Sequence, residues 1–259
     1  MSKTAALHGG VENHLLSALP AEDFKRLLPS LQPVTFSLGD VVHESGAHLD
    51  DLYFPTTSVV SLLYTMENGI TAEIGLVGND GVVGTALFLG GDTVPNRAVV
   101  QIAGGALSIK ARVLLEDFRQ GGPFQRILLR YTQALITQVS QTAVCNRLHS
   151  VEQRLCRWLL LSQDRVKSDE LSMTQEFISN MLGGRRESVT VAARRLQNAG
   201  LIRYIRGHIT ILDRKGLEAT VCECYQIVKD ETDRLLVTAV KRTQPRNTGR
   251  VDSLSARLA

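Results

Sequence analysis

The chain has 259 residues, 44% of them hydrophobic and 21% charged, with a formal net charge of +3. This is globular composition with enough material for two ordinary domains, and it excludes a disordered or fibrous chain. The charge is segregated, with thirteen acidic against ten basic residues up to His149 and nineteen basic against thirteen acidic from Ser150 onward, so only the second half is expected to meet a polyanion.

From Val11 to Leu28 apolar residues recur at helical spacing on either side of Pro20, which predicts two short helices. The opening stretch has no apolar run after Lys3, and no run of about 18 apolar residues occurs anywhere. Neither a signal peptide nor a membrane span is expected, which implies a cytoplasmic protein without membrane contact.

Between Leu31 and Ile109 short runs rich in Val, Ile, Thr, Tyr and Phe alternate with turn clusters such as Gly39-Asp40, Gly78-Asn79-Asp80-Gly81 and Gly90-Gly91-Asp92. This spacing predicts a closed or two-layered antiparallel β structure. Asn68-Gly69 lies between two strand-like runs and predicts a tight type I′ hairpin, because both residues tolerate a positive φ.

After Gly121-Gly122-Pro123 a long helix is expected, with Phe124, Leu128, Tyr131, Leu135, Val139 and Thr142 forming an apolar stripe. That stripe can pack on the β domain or pair with a second copy; the second choice makes Phe124, Leu128, Tyr131, Leu135 and Val139 a dimer interface. A further apolar helix follows around Val151, Leu155, Trp158 and Leu159. The tail from about Thr243 has no periodic apolar face and is expected to be disordered.

The chemistry is concentrated between Thr174 and Leu212. Thr174 reads as the N-cap of a short helix buried through Phe177, Ile178, Met181 and Leu182, and Gly183-Gly184 reads as the turn that ends it. A second helix begins at Arg185, with Val189, Ala192, Ala193 and Leu196 inward and Arg186, Glu187, Thr190 and Arg194 outward. Two short helices in this relation fit the major groove of B-DNA. Arg186 can pair with guanine, Glu187 can accept from cytosine, and Thr190 can offer a hydroxyl or touch a thymine methyl. Ile202–Leu212 then reads as a hairpin with a basic tip, a wing whose Arg203, Arg206 and His208, together with Arg185 and Arg194, would meet phosphates.

The run from Thr174 to Asp213 resembles the winged helix-turn-helix of the Crp/Fnr family of bacterial regulators, closely over about 40 residues, and the order of the remaining elements is similar to that family too. The resemblance implies an α+β chain: an antiparallel β jelly-roll barrel of the cyclic-nucleotide-binding type with N-terminal helices over residues 1–122, a dimerisation helix over 123–148, a winged helix-turn-helix domain over 149–242, and a tail over 243–259. It further implies a homodimer that binds double-stranded DNA, with RNA polymerase and a small-molecule effector as further partners.

Departures from the family pattern carry their own expectations. Val191 stands where well-known members carry an arginine that reads guanine, so the operator should differ at that base pair. The effector pocket maps to Gly84, Thr85, Arg97 and Ala98. Arg97 matches the phosphate-binding arginine, but Thr85 replaces the ribose-binding glutamate and Ala98 a phosphate-capping hydroxyl, which disfavours a cyclic nucleotide and leaves the effector open. The absence of cysteine before Cys145 excludes the iron–sulfur mode of sensing known in the family.

The four cysteines do not make a disulfide framework in a chain this long. Cys222 and Cys224, read as two positions on one helix, would point about 200° apart, so no metal is expected there. His43, Glu44 and His48 are expected to be solvated. No nucleophile elbow or phosphate-cradling glycine loop occurs, so no catalytic residue, cofactor or enzymatic activity is expected. The alternative to a DNA-binding regulator is an effector-binding signalling protein whose C-terminal domain contacts another protein.

Overall fold

A computed structural model of the protein describes residues 12–166, 168–173, 175–182 and 185–237. Pro20 separates two short helices, α1 (His14–Ser17) and α2 (Ala21–Leu27). Asn13 caps α1: its Oδ1 accepts from the N–H groups of Leu15 and Leu16, while its Nδ2 donates to the carbonyls of Pro55 and Gly81. A fully buried amide is thereby satisfied and ties the helix to the β domain.

Seven strands follow, β1 (Gln32–Phe36), β2 (Val41–His43), β3 (Asp51–Pro55), β4 (Val59–Thr65), β5 (Thr71–Val77), β6 (Arg97–Ile102) and β7 (Gly104–Lys110), with a short helix α3 (Ala86–Leu89) before β6. They pair antiparallel in two sheets, β1-β7-β3 and β2-β6-β4-β5. Leu52, Phe54 and Ile109 of one sheet and Val60, Leu62 and Val100 of the other share a single core. This is the jelly-roll type of arrangement, as two layers rather than a hydrogen-bonded closed cylinder.

The β4–β5 connection lies at Asn68-Gly69 but is not a type I′ turn. Met66 N–H donates to the Ile70 carbonyl at 2.8 Å, and the loop between them holds three residues. Gly69 alone takes a positive φ, +81°; Asn68 instead accepts from the Ile70 N–H through its side chain. A three-residue loop needs one left-handed position where the two-residue turn needs two.

Beyond β7 the chain runs through α4 (Ala111–Gln120), the 26-residue α5 (Pro123–Leu148) and α6 (Val151–Val166). Phe124, Leu128 and Tyr131 of α5 are buried in the β-domain core, and Leu135 packs against it; Val139 is half-buried, facing Gly75 of β5. The apolar stripe expected at a dimer interface is therefore turned into the chain's own core. The exposed residues of α5 include Arg126, Leu129, Gln133, Ile136, Ser140, Ala143 and Arg147, spaced alternately by three and four as in a heptad seam.

The C-terminal unit comprises β8 (Glu170–Ser172), α7 (Gln175–Leu182), α8 (Arg186–Asn198), β9 (Ile202–Ile205), β10 (His208–Ile211), α9 (Arg214–Thr220) and α10 (Cys224–Thr232). Its sheet has the order β8-β10-β9. Its core takes in Leu155, Trp158, Leu159, Ile178, Val189 and Leu196, and extends into the β domain through Val59, Leu63, Leu76 and Val99. Strand β4 is thus buried on both faces, with Val60 and Leu62 inside the β domain and Val59 and Leu63 beneath the C-terminal unit. This accounts for the apolar pairs Val59-Val60 and Leu62-Leu63 on either side of Ser61, where alternation would have been expected of a strand buried on one face.

Polar groups pin this seam. Ser61 Oγ donates to Gln101 Oε1 at 2.6 Å, and Gln101 Nε2 to Ser162 Oγ at 3.1 Å. The turn Gly78–Gly81 is the junction: a Cβ on Gly78 would lie 2.6 Å from the Arg165 side chain, and one on Gly81 would lie 2.6 Å from the Tyr131 hydroxyl. Both glycines serve close approach of α6 and α5 to the β domain.

Glu73 is buried in the same seam, where desolvation pushes its carboxyl up to about 8, with Arg157 and Arg165 pulling it back only in part. The folded value lies above the ordinary 4.5, so the stabilisation is complete below the unfolded value and is lost as pH rises through the folded one. Glu73→Gln is expected to flatten this dependence. Urea midpoints at about pH 6 and about pH 9 should differ in the parent and coincide in the variant; equal pH dependence in both would assign the effect elsewhere.

Candidate nucleic-acid interface

The local sequence builds a helix-turn-helix and wing from ordinary packing rules. On α8, Val189, Ala192, Ala193 and Leu196 are buried at steps of three and four, leaving Arg186, Glu187, Ser188, Val191 and Arg194 exposed on the other side. On α7, Ile178, Met181 and Leu182 are buried and Phe177 half-buried. The expected N-cap Thr174 and the turn glycines Gly183 and Gly184 lie outside the described residues, as does the tail from Thr243.

Arg185 is the extended residue that opens α8, and Glu187 lies in the first turn, where a carboxylate suits the helix dipole. Thr190 is half-buried and its hydroxyl donates to the Arg186 carbonyl at 2.9 Å. Val191, 50% exposed, lies one turn beyond Glu187. It offers a thymine methyl an apolar contact and offers guanine no donor.

The wing strands β9 and β10 meet at Arg206-Gly207, with φ of +48° and +85°. Two positive φ values in a two-residue connection are the type I′ geometry. Holding a non-glycine residue there costs about 1–2 kcal/mol, and the residue so held is a cation at the tip. Tyr204 steadies the wing, its hydroxyl donating to the Met173 carbonyl at 2.9 Å, and burial pushes its pKa up. Exposed His208 lies with its Nδ1 3.2 Å from Ser172 Oγ.

Among the described residues Arg185, Arg186, Arg194, Arg203 and Arg206 are exposed and form no ion pair. Two other arginines of this region are engaged within the fold. Arg195 reaches Glu152 at 3.4 Å. Arg214 donates to Gln163, Asp164, Glu218 and the Tyr225 hydroxyl, locking α9 to α6 and α10.

The four residues mapped to an effector pocket have mixed environments. Gly84 has φ +105° and lies against Leu52; Thr85 precedes α3 and makes no capping hydrogen bond. Ala98 is fully buried between β2 and β4. Arg97 pairs with Glu44 at 2.9 Å, so its charge is already met by a carboxylate. His43 lies 3.5 Å from Asn96, and burial lowers its pKa; His48 is exposed beside Asp92.

Cys222 and Cys224 are not two positions on one helix. Val221 is extended, Cys222 lies in the link before α10, and Cys224 is that helix's first residue. Their thiols gather with Cys145 and His149, four donor atoms within 4.8 Å of one another, the one such group of metal-ligating side chains among the described residues. Sequence spacing concealed it because Cys145 and Cys222 are 77 residues apart and Cys224 and His149 are 75 apart.

Residues 153–220 match the family model of the Crp-like helix-turn-helix domain. No curated protein matches the chain. Among solved structures, the chain is similar to a protein from Eubacterium rectale described as a transcriptional regulator of the Crp/Fnr family (20% identity, 81% of this chain and 99% of that one, TM-score 0.63). It is also similar to FixK2 from Bradyrhizobium japonicum (15% identity, 74% and 98%, TM-score 0.64). A third similar structure is the c-di-GMP-responsive global regulator CLP of Xanthomonas campestris (17% identity, 75% and 100%, TM-score 0.60). At these identities the likeness is one of fold, and no helix among the described residues is long and apolar enough to cross a membrane. Residues 153–220 thus carry a Crp-like helix-turn-helix domain, joined by a long helix to a jelly-roll β domain in a chain that shares the fold of these regulators.

Proposed function

We propose that the protein is a homodimeric, sequence-specific DNA-binding transcription regulator. The observation that carries this reading is the cationic face formed by α8 and the wing, where Arg185, Arg186, Arg194, Arg203 and Arg206 are exposed and unpaired among the described residues beside a Crp-like helix-turn-helix core. Arg186, Glu187 and Thr190 read bases in the major groove; Arg185, Arg194, Arg203, Arg206 and His208 hold phosphates. Two copies associate through the exposed seam of α5 centred on Leu129 and Ile136, which gives the two-fold symmetry that a palindromic site requires.

The β domain serves as the sensor. The Arg97–Glu44 pair and the absence of a polar group at Ala98 favour an effector other than a cyclic nucleotide. RNA polymerase is the further partner that this function implies.

A salt-series titration on the protein's own promoter against scrambled DNA tests the reading. Affinity should fall steeply with salt through counterion release and should not depend on cyclic AMP or cyclic GMP. Arg186→Ala and Glu187→Ala should each relax sequence choice by about 1–3 kcal/mol at the affected base pair. Arg206→Asn, which tolerates the left-handed turn, should weaken all sequences alike and reduce the salt slope by about 1. Salt-independent binding, or intact selectivity in the α8 variants, would sink the assignment.

A further inference from the structure

The hinge between α5 and α6 carries a constellation that DNA binding does not use. Cys145 lies in the last turn of α5 and is 1% exposed. His149 caps that helix in an extended conformation, its N–H bonded to the Cys145 carbonyl at 3.1 Å. Cys222 and Cys224 approach from the α9–α10 link, each almost fully buried.

We propose that Cys145, His149, Cys222 and Cys224 form a binding site for a single zinc ion. Three thiols and one imidazole are a structural zinc donor set, and bond lengths of about 2.3 Å to sulfur and about 2.0–2.1 Å to nitrogen put tetrahedral ligand atoms about 3.6–3.8 Å apart. Cys145 Sγ lies 3.6 Å from Cys222 Sγ, and Cys224 Sγ lies 3.6 Å from His149 Nδ1. No pair of the four exceeds 4.8 Å, so the widest has about an ångström to close on a tetrahedral edge of this size.

The surroundings fit an ion as well as the donors do. His149 Nε2 faces the Glu223 carboxylate at 3.4 Å, which keeps the proton on Nε2 and leaves the Nδ1 lone pair turned toward the thiols. A carboxylate behind the imidazole is how metal-bound histidines are oriented. Three thiolates around a divalent ion leave one negative charge, and the charge of Arg157 acts on both Cys145 and Cys224. Arg157 is buried and its Nε has no hydrogen-bond partner. Cys156 is a plain core thiol of this chain, fully buried and with no place in the cluster. A disulfide between Cys145 and Cys222 would need its sulfurs at about 2.05 Å and would leave Cys224 unpaired.

An ion held here would fasten the C-terminal end of α5 to α10, fixing the His149–Ser150 hinge across which the DNA-binding unit joins the long helix. This goes beyond the regulator reading, and its test does not involve DNA.

The reduced full-length chain is titrated with Co²⁺ under anaerobic conditions and then with Zn²⁺. The expected result is one Co²⁺ per chain with thiolate-to-cobalt charge-transfer and tetrahedral ligand-field bands, displaced by one equivalent of Zn²⁺. Cys145→Ser and Cys222→Ser should lose the thiolate bands in their three-sulfur form, Cys156→Ser should keep them, and Glu223→Gln should weaken zinc affinity about 10–100-fold. Circular dichroism checks that each variant is folded. The proposal is overturned if the parent chain shows no saturable cobalt spectrum, if folded Cys145→Ser and Cys222→Ser retain the parent's bands, or if Cys156→Ser loses them equally.

Discussion

Ile136→Glu is expected to convert the proposed homodimer to a monomer in sedimentation and to lower affinity for a two-half-site operator by on the order of 10²–10⁴, the avidity that joining two modules supplies. Ile136 is 61% exposed at the middle of α5 and Leu129, one heptad earlier, is 46% exposed; in a self-paired helix both would be covered. A glutamate at 136 would meet its symmetry mate, placing two carboxylates in an apolar seam. The same substitution should leave the stability of each protomer nearly unchanged, because the site faces outward. Leu128→Ala provides the contrast. Its side chain is fully buried against the β domain, so about 2–5 kcal/mol of protomer stability should be lost with assembly intact. If Leu128→Ala dissociated the dimer and Ile136→Glu did not, the inward-facing stripe would be the interface after all.

Arg165→Ala should cost about 3–5 kcal/mol in urea unfolding, the scale for removing one member of a buried ion pair. Arg165 is 6% exposed and its guanidinium meets Asp80 at 2.9 Å, Gln138 Oε1 at 3.0 Å and the Leu161 carbonyl at 2.8 Å. It thereby joins the Gly78–Gly81 turn, α5 and α6 at one point. Without it Asp80 and Gln138 lose their shared donor at the seam, and the two units are expected to unfold in separate transitions. Lys110–Asp51, with the lysine 71% exposed, is the control, since pairs of that kind are worth about 0–1 kcal/mol. A loss from Arg165→Ala as small as that of the exposed pair would show that apolar contacts alone hold the seam.

Local sequence determined the elements whose physics is local. Pro20 divided the first two helices; the three-and-four spacing of Val189, Ala192, Ala193 and Leu196 defined the buried face of α8, and therefore the face that Arg186, Glu187 and Arg194 share. The wing was legible because Arg206-Gly207 separates two short segments rich in isoleucine, Ile202–Ile205 and His208–Ile211. Asn68-Gly69 marks the position of the turn but not its geometry, because sequence shows that both residues tolerate a positive φ and does not show that only Gly69 adopts it.

Only the tertiary structure decided which partner each apolar surface meets. The stripe Phe124–Val139 reads identically whether it packs on a sheet or on a second copy, since burial removes the same apolar area in both cases. Strand β4 looked like half of a hairpin, yet it is buried on both faces because a second core closes over it. Arg195 and Arg214 add to the positive charge of the second half in sequence, but in the fold they stand beside Glu152 and Asp164. Cys145 and His149 lie more than 70 residues before Cys222 and Cys224 in sequence, and the α9–α10 link carries the latter two to the end of α5. Sequence periodicity reports which side of an element is apolar or charged; what stands opposite is set by contacts between residues far apart in the chain.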